Sequence, residues 1–206
     1  MRRAINFALA CVALAAFLAL GYYVRARGEP AVFLAWERAA FDHATLVAWW
    51  LTWACYVDVL VPICIALLIL AWRLPTWRAR IFMSIVTLLI SWRAADLYQH
   101  VFARARPIHW VVKHETAFSY PSSHAAIVAG FYALWAGMLY ASNLPRRARL
   151  TAACALGALC LAILWSRLAL GAHYVTDLAG GLLLGGCVAL LGLAAVPAGR
   201  LSGAAE

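Results

Sequence analysis

Long apolar stretches separated by short polar segments dominate this chain of 206 residues. A helix that crosses a bilayer core needs about 20 consecutive apolar residues. Stretches close to this length lie at 4–24, 46–72, 81–98, 124–141, 150–168 and 174–196. The pattern predicts an all-α polytopic membrane protein, a single domain over residues 1–206 whose six transmembrane helices form one bundle.

The first apolar stretch follows Arg2 and Arg3, an arrangement that a secretory signal peptide also shows. The apolar part of a signal peptide is about 7–15 residues long, and this stretch is longer. We therefore expect a retained helix. Cleavage would leave the topology of the remaining helices unchanged.

The composition agrees with a membrane protein, since 67% of the residues are hydrophobic and 12% are charged. A soluble domain is about half apolar and a quarter charged. The net charge of +9 does not indicate nucleic-acid binding, because the arginines lie in short segments between apolar stretches. We expect them to set the orientation and to contact lipid headgroups or an anionic substrate.

Arginine clusters predict the orientation, because cytoplasmic loops of membrane proteins are enriched in Lys and Arg. Tight clusters lie at 2–3, 73–80 and 146–149. Placing these clusters inside puts both termini in the cytoplasm. The segments that then face outward are 25–45, 99–123 and 169–173.

Several residues inside the spans predict local features of the helix bundle. Asp58 is costly in a bilayer and needs a partner; we favour a structural ion pair with Arg93, and direct substrate binding is the alternative. Pro62 predicts a kink. Gly181 and Gly185 form a G-x-x-x-G pair, which is typical of close helix packing.

The cysteines do not predict a metal or redox site. All six lie in apolar stretches and none has C-x-x-C spacing. We expect buried free thiols that behave as small hydrophobic residues. The six are Cys11, Cys55, Cys64, Cys154, Cys160 and Cys187.

Three polar motifs lie at the outward ends of the predicted helices. They are QHVFARARP at 99–107, PSSH at 121–124 and SRLALGAHYVTD at 166–177. The bundle would bring them together at the outer membrane face. The sequence therefore predicts one site built from distant segments.

The third motif supplies a candidate nucleophile. His173 and Asp177 are four residues apart and share one helix face. The carboxylate can accept a hydrogen bond from one imidazole nitrogen, which fixes the tautomer and leaves the other nitrogen free to attack. Arg167 offers a planar guanidinium that suits phosphate.

The second motif supplies anion contacts and a candidate acid. The free N–H groups at a helix start bind anions, and Ser122 and Ser123 add hydroxyl donors. His124 in the first turn can act as a general acid. Arg106, from the first motif, adds a cation to the same cluster.

Together these motifs resemble the signature of the type 2 phosphatidic acid phosphatase superfamily, a group of membrane lipid phosphatases. That signature reads Lys-x6-Arg-Pro, then Pro-Ser-Gly-His, then Ser-Arg-x5-His-x3-Asp. The third block matches fully, the second has Ser123 in place of glycine, and the first has Gln99 in place of lysine. The matching residues are Arg106, Pro107, Pro121, Ser122, His124, Ser166, Arg167, His173 and Asp177.

The resemblance implies roles for these residues. His173 would attack phosphorus and form a phosphohistidine, Asp177 would orient it, and His124 would protonate the leaving oxygen. The phosphate oxygens would be held by Arg106, Arg167, Ser122, the backbone N–H of Ser123 and, in place of the usual lysine, Gln99. The resemblance implies no cofactor and no metal.

Gln99 keeps a hydrogen-bond donor but lacks the positive charge of the usual lysine. Arg104, Lys113 or the pair His109 and His114 are candidates to compensate. Since the nucleophile, acid and orienting carboxylate are all present, we expect an active enzyme.

The resemblance also implies a lipid phosphate or diphosphate substrate that enters from the bilayer. Undecaprenyl diphosphate of a bacterial inner membrane is our first choice, because the site would face outward. Phosphatidylglycerol phosphate or phosphatidate is the alternative, and lipid A is a third option. A non-catalytic lipid-binding scaffold and a transporter are the alternatives from other functional classes.

Overall fold

The computed structural model describes residues 1–41, 45–107 and 117–196, and the regular structure within these ranges is helical. The helices are α1 (Arg2–Arg27), α2 (Ala31–Phe41), α3 (Thr45–Thr52), α4 (Val57–Arg73), α5 (Arg78–Phe102), α6 (Ser123–Ile127), α7 (Leu134–Tyr140), α8 (Arg146–Ala169) and α9 (Val175–Ala195). A π-helical segment, Val128–Ala133, joins α6 to α7.

The predicted six-helix membrane architecture is confirmed. Among the described residues, five helical stretches are long and apolar enough to span a membrane, and α3 together with α4 forms a sixth, bent span. α6, the π-helical segment and α7 make up one of the five. The helix α2 was not predicted; it lies within the segment 25–45 that we expected to be a loop.

The second span bends at Tyr56, a position that the sequence analysis did not predict. The two halves of the span differ in direction by 46° at this break, where Tyr56 adopts an extended conformation. Pro62 lies inside α4, in an early turn of the helix. There a proline removes only one backbone hydrogen bond.

The predicted G-x-x-x-G contact is confirmed, and it sets the position of the second motif. A Cβ atom on Gly181 would collide with the backbone oxygen of Ser122, and one on Gly185 would collide with that of Ala126. α9 therefore lies directly against the backbone at the start of α6. This contact places the motif that contains His124 beside the first turn of α9.

An aromatic cluster holds α1 and α5 against the segment before α6. Phe17 stacks on Tyr120 with ring centroids 5.6 Å apart, and Phe102 packs edge-on against Tyr120. The Tyr120 hydroxyl donates to the backbone oxygen of Phe17 at 2.7 Å. Buried aromatic rings thus fix the entry to the second motif.

The predicted ion pair between Asp58 and Arg93 is wrong. Arg93 pairs with Asp96 on its own helix at 3.5 Å. Asp58 is exposed in the first turn of α4, and the ion pairs formed within the described ranges do not include it. A carboxylate at a helix N-terminus is stabilised by the helix dipole, so Asp58 does not require the partner that its predicted depth implied.

The cysteines are free thiols, as expected, but only three of them are buried. Cys55, Cys160 and Cys187 are buried, whereas Cys11 and Cys154 are exposed on the surface of their helices. On a span, that surface faces lipid. An exposed cysteine there still behaves as a small apolar side chain.

Candidate active site

The three motifs converge at one end of the bundle, as predicted. Arg106, just after α5, lies 3.2 Å from His173, just before α9. The backbone N–H of Ser122 donates to the backbone oxygen of Asp177 at 3.0 Å. Segments separated by more than fifty residues are therefore in direct contact.

His173 and Asp177 form the expected pair. The imidazole Nδ1 lies 3.5 Å from Asp177 Oδ2, and both side chains are almost fully buried. The same carboxylate oxygen accepts the hydroxyl hydrogen of Ser119 and, at 2.9 Å, the backbone N–H of Tyr174. Asp177 is thereby held rigidly beside the imidazole. Within the described residues Nδ1 has no hydrogen-bond partner at this distance, and such contacts are often long before substrate binds.

The contact with Arg106 defines the tautomer of His173. Arg106 Nη1 lies 3.2 Å from His173 Nε2, and a guanidinium can only donate. Nε2 must therefore be the unprotonated acceptor, which places the proton on Nδ1, facing Asp177. The lone pair on Nε2 points toward a cation that would also hold a phosphate.

The electrostatics keep His173 neutral. Burial holds the pKa of His173 well below its usual range, and the nearby guanidinium groups of Arg106 and Arg167 lower it further. The site therefore favours the neutral imidazole, which is the form that can act as a nucleophile.

Arg167 and His124 also lie close to His173. The Arg167 side chain is fully buried, and its Nη1 donates to Thr52 Oγ1 at 2.6 Å. His124 is also buried, and Tyr56 packs edge-on against its ring at 5.3 Å. Within the ranges that the structure describes, His124 Nε2 has no hydrogen-bond partner, so this nitrogen is available to a ligand.

The two serines of the second motif differ in their surroundings. Ser122 is fully buried and is the N-cap of α6, since its Oγ accepts from the backbone N–H of Ala125 at 3.4 Å. Its hydroxyl oxygen therefore already accepts a hydrogen bond from the helix that it caps. Ser123 is partly exposed at the first position of α6, where a backbone N–H lacks an intrahelical acceptor.

Gln99 also contacts the protein rather than open space. Its Nε2 donates to the backbone oxygen of Pro121 at 2.9 Å, and its side chain is buried. Gln99 thus ties α5 to the second motif, and one of its two amide hydrogens remains for a ligand. Arg104 does not compensate for the missing lysine, because its guanidinium binds carboxylates. Lys113, His109 and His114 lie outside the described residues.

Several polar residues of the site were missed by the sequence analysis. Their signals are weak, because their positions lie outside the motif pattern and some come from distant segments. Ser119 has the best sequence signal, since it lies just before PSSH. The missed residues are Glu29, Glu37, Thr52, Arg104 as a carboxylate partner, Ser119 and Thr176.

An apolar cleft leads from the surface of the bundle to this polar site. The cleft has a volume of about 450 Å³, and its walls come mainly from α4 and α5. Apolar wall residues include Val57, Leu60, Val61, Leu88, Leu89 and Trp92; Gln99, Arg106, Ser123 and His124 line its polar end. Val61 and Leu89 are about half exposed, so the cleft opens on the surface that faces lipid.

Metal-binding geometry is not found in the part of the chain that the structure describes. No three His, Cys, Asp or Glu side chains there lie close enough together to hold an ion. The cations that could face an anion are instead the guanidinium groups of Arg106 and Arg167.

Comparison with known proteins identifies the family that this fold and site define. Residues 81–200 match the model of the PAP2 superfamily. This match covers more than half of the chain and includes all three motifs. The chain therefore belongs to the PAP2 superfamily, as its resemblance implied.

One relative and one solved structure extend the comparison. YbjG of Escherichia coli strain K12, named as a putative undecaprenyl-diphosphatase, is 31% identical over 113 residues, which span 50% of this chain and 49% of YbjG. The crystal structure of a transmembrane PAP2 type phosphatidylglycerolphosphate phosphatase from Bacillus subtilis matches 90% of this chain and 93% of its own, with a TM-score of 0.75 and 22% identity. The second likeness shows a shared fold.

Proposed function

We propose that the protein is a lipid phosphatase that hydrolyses a phosphate or diphosphate headgroup through a phosphohistidine. The observation that carries the proposal is the geometry around His173. Its Nε2 accepts from Arg106 at 3.2 Å, while its Nδ1 faces the buried carboxylate of Asp177. This arrangement presents a neutral nucleophilic nitrogen directly beside a phosphate-binding cation.

In the first step, Arg106 transfers its hydrogen bond from Nε2 of His173 to a phosphate oxygen, and the freed lone pair of Nε2 attacks phosphorus and forms an N–P bond. The bond from phosphorus to the leaving oxygen breaks, and His124 donates a proton to that oxygen. Asp177 stabilises the positive charge that develops on the imidazole. A phosphate bound beside His124 favours its protonated form, because an opposite charge stabilises the cation.

In the second step, His124 is neutral and accepts a proton from water as the water oxygen attacks phosphorus. The N–P bond breaks, which returns neutral His173 and releases inorganic phosphate. Arg106, Arg167 and the backbone N–H of Ser123 hold the phosphoryl oxygens in both steps, where negative charge accumulates.

The apolar cleft supports a lipid substrate. Its volume of about 450 Å³ suits a headgroup and the first carbons of a chain, while the rest of the chain would remain in the bilayer. A soluble phosphate ester would gain nothing from these apolar walls, because hydrophobic burial contributes only where apolar surface leaves water.

We place undecaprenyl diphosphate first among the substrates. The likeness to YbjG supports this choice, as does an outward-facing site, which would meet a carrier lipid left on the outer leaflet. The setting is then the inner membrane of a bacterium, with both termini cytoplasmic. Phosphatidylglycerol phosphate and phosphatidate are the competing substrates, and phosphate is the group removed from each.

Phosphate release by the purified protein tests the proposal. Undecaprenyl diphosphate, phosphatidylglycerol phosphate and phosphatidate are offered side by side in detergent with EDTA present, and His173→Ala is the control. We expect release from the diphosphate that the variant lacks. Preference for a monophosphate would overturn the substrate choice. Release from none of the three would overturn the catalytic function and favour a lipid-binding scaffold.

A further inference from the structure

Arg104 bridges the catalytic carboxylate and a second carboxylate from the N-terminal part of the chain. Its Nη1 donates to Asp177 Oδ1 at 2.6 Å and to Thr176 Oγ1 at 2.7 Å. Its Nη2 donates to Glu29 Oε2 at 2.9 Å. The guanidinium is buried and lies 4.2 Å from the centre of the Tyr174 ring. These contacts all lie around Asp177, on the side of the active site where α9 begins.

Glu29 reaches this position because the chain turns sharply after α1. Gly28 ends that helix with φ of +73°, a conformation that glycine adopts without strain. The Glu29 side chain is only 2% exposed. Its Oε1 accepts from the backbone N–H of Thr176 at 3.2 Å, and its Oε2 accepts from the hydroxyl of the same residue. Glu29 therefore holds the first turn of α9 as well as Arg104.

The charges of Glu29, Arg104 and Asp177 act together on His173. Arg104 alone would offset the negative charge of Asp177 and weaken its attraction for the proton on His173 Nδ1. Glu29 on the far side of Arg104 supplies a second negative charge. The three groups together then carry one net negative charge, which reaches the imidazole through Asp177.

We propose that Arg104 and Glu29 are positioning residues that set how basic His173 is. The proposal rests on the proposed phosphatase function, and it adds residues that the family motifs do not contain. Glu29 lies outside the segment 81–200 that matches the family. This chain thus completes the site with a residue from its N-terminal part.

His173 is surrounded by other charged or titratable groups that stay the same in this comparison. Asp177 lies beside Nδ1 and Arg106 beside Nε2. Arg167, His124 and Arg104 contribute from the neighbouring elements, and Glu37 lies next to Glu29 behind them. A change at Glu29 or Arg104 therefore alters one charge directly, and Glu37 responds to Glu29→Gln with a lower pKa of its own because Glu29 helps to raise it.

Charge removal at the two positions predicts shifts of opposite sign. Glu29→Gln removes a negative charge, so protonated His173 is less stable and its titration midpoint falls. Arg104→Gln removes a positive charge, so the midpoint rises. We expect each shift to be about half a unit to one unit. A merely structural role would not move the midpoint in opposite directions.

Because the His173 side chain is buried, the midpoint is measured by NMR of protein with isotope-labelled histidine as a function of pH. The His173→Ala spectrum assigns the signal, and hydrolysis of the three lipids is measured in parallel. We expect both single variants to hydrolyse about tenfold more slowly. The double variant, which removes the buried ion pair as a unit, should return the midpoint to the wild-type value.

Two further variants control for fold and for general charge effects. Arg104→Lys retains the charge but replaces the planar guanidinium fork with a compact ammonium, so its midpoint should match wild type while hydrolysis falls. Arg38→Met removes an exposed cation from α2 and should change neither quantity. If the midpoints of Glu29→Gln and Arg104→Gln coincide, or move in the same direction from wild type, the inference is overturned. If the wild type hydrolyses none of the lipids, the phosphatase proposal fails. The titration midpoint of His173 alone then decides the role of Arg104 and Glu29.

Discussion

At the scale of single residues, Asp177 has more partners than a simple orienting carboxylate. Arg104 donates to one of its oxygens at 2.6 Å, and Ser119 and the backbone of Tyr174 donate to the other. These donors fix the carboxylate beside His173 before any substrate arrives. Preorganisation of this kind lowers the cost of reaching the transition state.

Asp177→Asn should reduce lipid hydrolysis by about 10³-fold, in line with the loss of an orienting carboxylate elsewhere. The amide cannot accept from every donor around it, so we also expect a lower thermal unfolding midpoint. Hydrolysis rates and thermal unfolding in detergent measure the two effects. Asp58→Asn, which changes an exposed carboxylate in the first turn of α4, is the control. Equal activity of the two variants would contradict this role.

The sequence predicts the proximity of His173 and Asp177, and it does not predict the residues that support them. His173 and Asp177 are adjacent on one helix face, so their pairing is a local property of the chain. Glu29 and Arg104 meet only because α1 and α5 end at the same height in the bundle. No periodicity or spacing connects them, and their contact depends on the complete fold.

At the scale of elements, the contact between α9 and α6 positions the proposed catalytic residues. Glycine at 181 and 185 lets the two helix backbones touch. The spacing predicted this close approach, whereas it did not predict which helix would be the partner. The bend at Tyr56 was also beyond the sequence pattern, because a helix break without proline or glycine leaves little local signal.

Gly185→Ala should disrupt the site, because the new Cβ would collide with the backbone oxygen of Ala126. Relieving this collision requires the backbone of one helix to shift, which costs free energy of folding. We therefore expect a lower unfolding midpoint and loss of hydrolysis. Gly186→Ala is a matched control, since a Cβ there meets no atom within 4 Å. Gly185→Ala with wild-type stability would show that the two helices are not packed this closely.

The helix α2 contributes Glu37, whose carboxyl oxygen accepts from the backbone N–H of Val175 at 2.9 Å. Burial raises the pKa of Glu37 to about 7; the hydrogen bond from Val175 opposes this, and the carboxylates of Glu29 and Asp177 add to it. The folded protein thus holds this proton more tightly than the unfolded chain. Glu37 therefore makes stability fall as pH rises from about 4.5 to about 7.

Glu37→Gln should remove this part of the pH dependence, because the amide can still accept from Val175 but does not titrate. As the pH is raised from about 4.5 to about 7, the thermal unfolding midpoint of the variant should rise relative to that of wild type. Gly186→Ala, which changes no titratable group and meets no atom within 4 Å, should run parallel to wild type. Parallel curves for Glu37→Gln as well would mean that Glu37 titrates normally in the folded protein.

At the scale of the whole molecule, apolar spans and convergent helix ends explain why the fold was the easiest feature to predict. Hydropathy alone located six spans, and the three motifs had to meet once the spans alternated in direction. The orientation in the membrane stays a prediction from the arginine clusters. The bundle combines two properties: an apolar cleft open to lipid, and a buried polar site at the inner end of that cleft.

The central claim is that His173 becomes phosphorylated during turnover. The most direct measurement is rapid alkaline quenching of the wild-type protein during hydrolysis of undecaprenyl diphosphate, followed by mass spectrometry of the peptide that contains residue 173. We expect a phosphoryl group on His173 that disappears once substrate is exhausted and is absent from His173→Ala. Rapid turnover without phosphate on His173, or undiminished turnover by His173→Ala, would contradict the proposed mechanism.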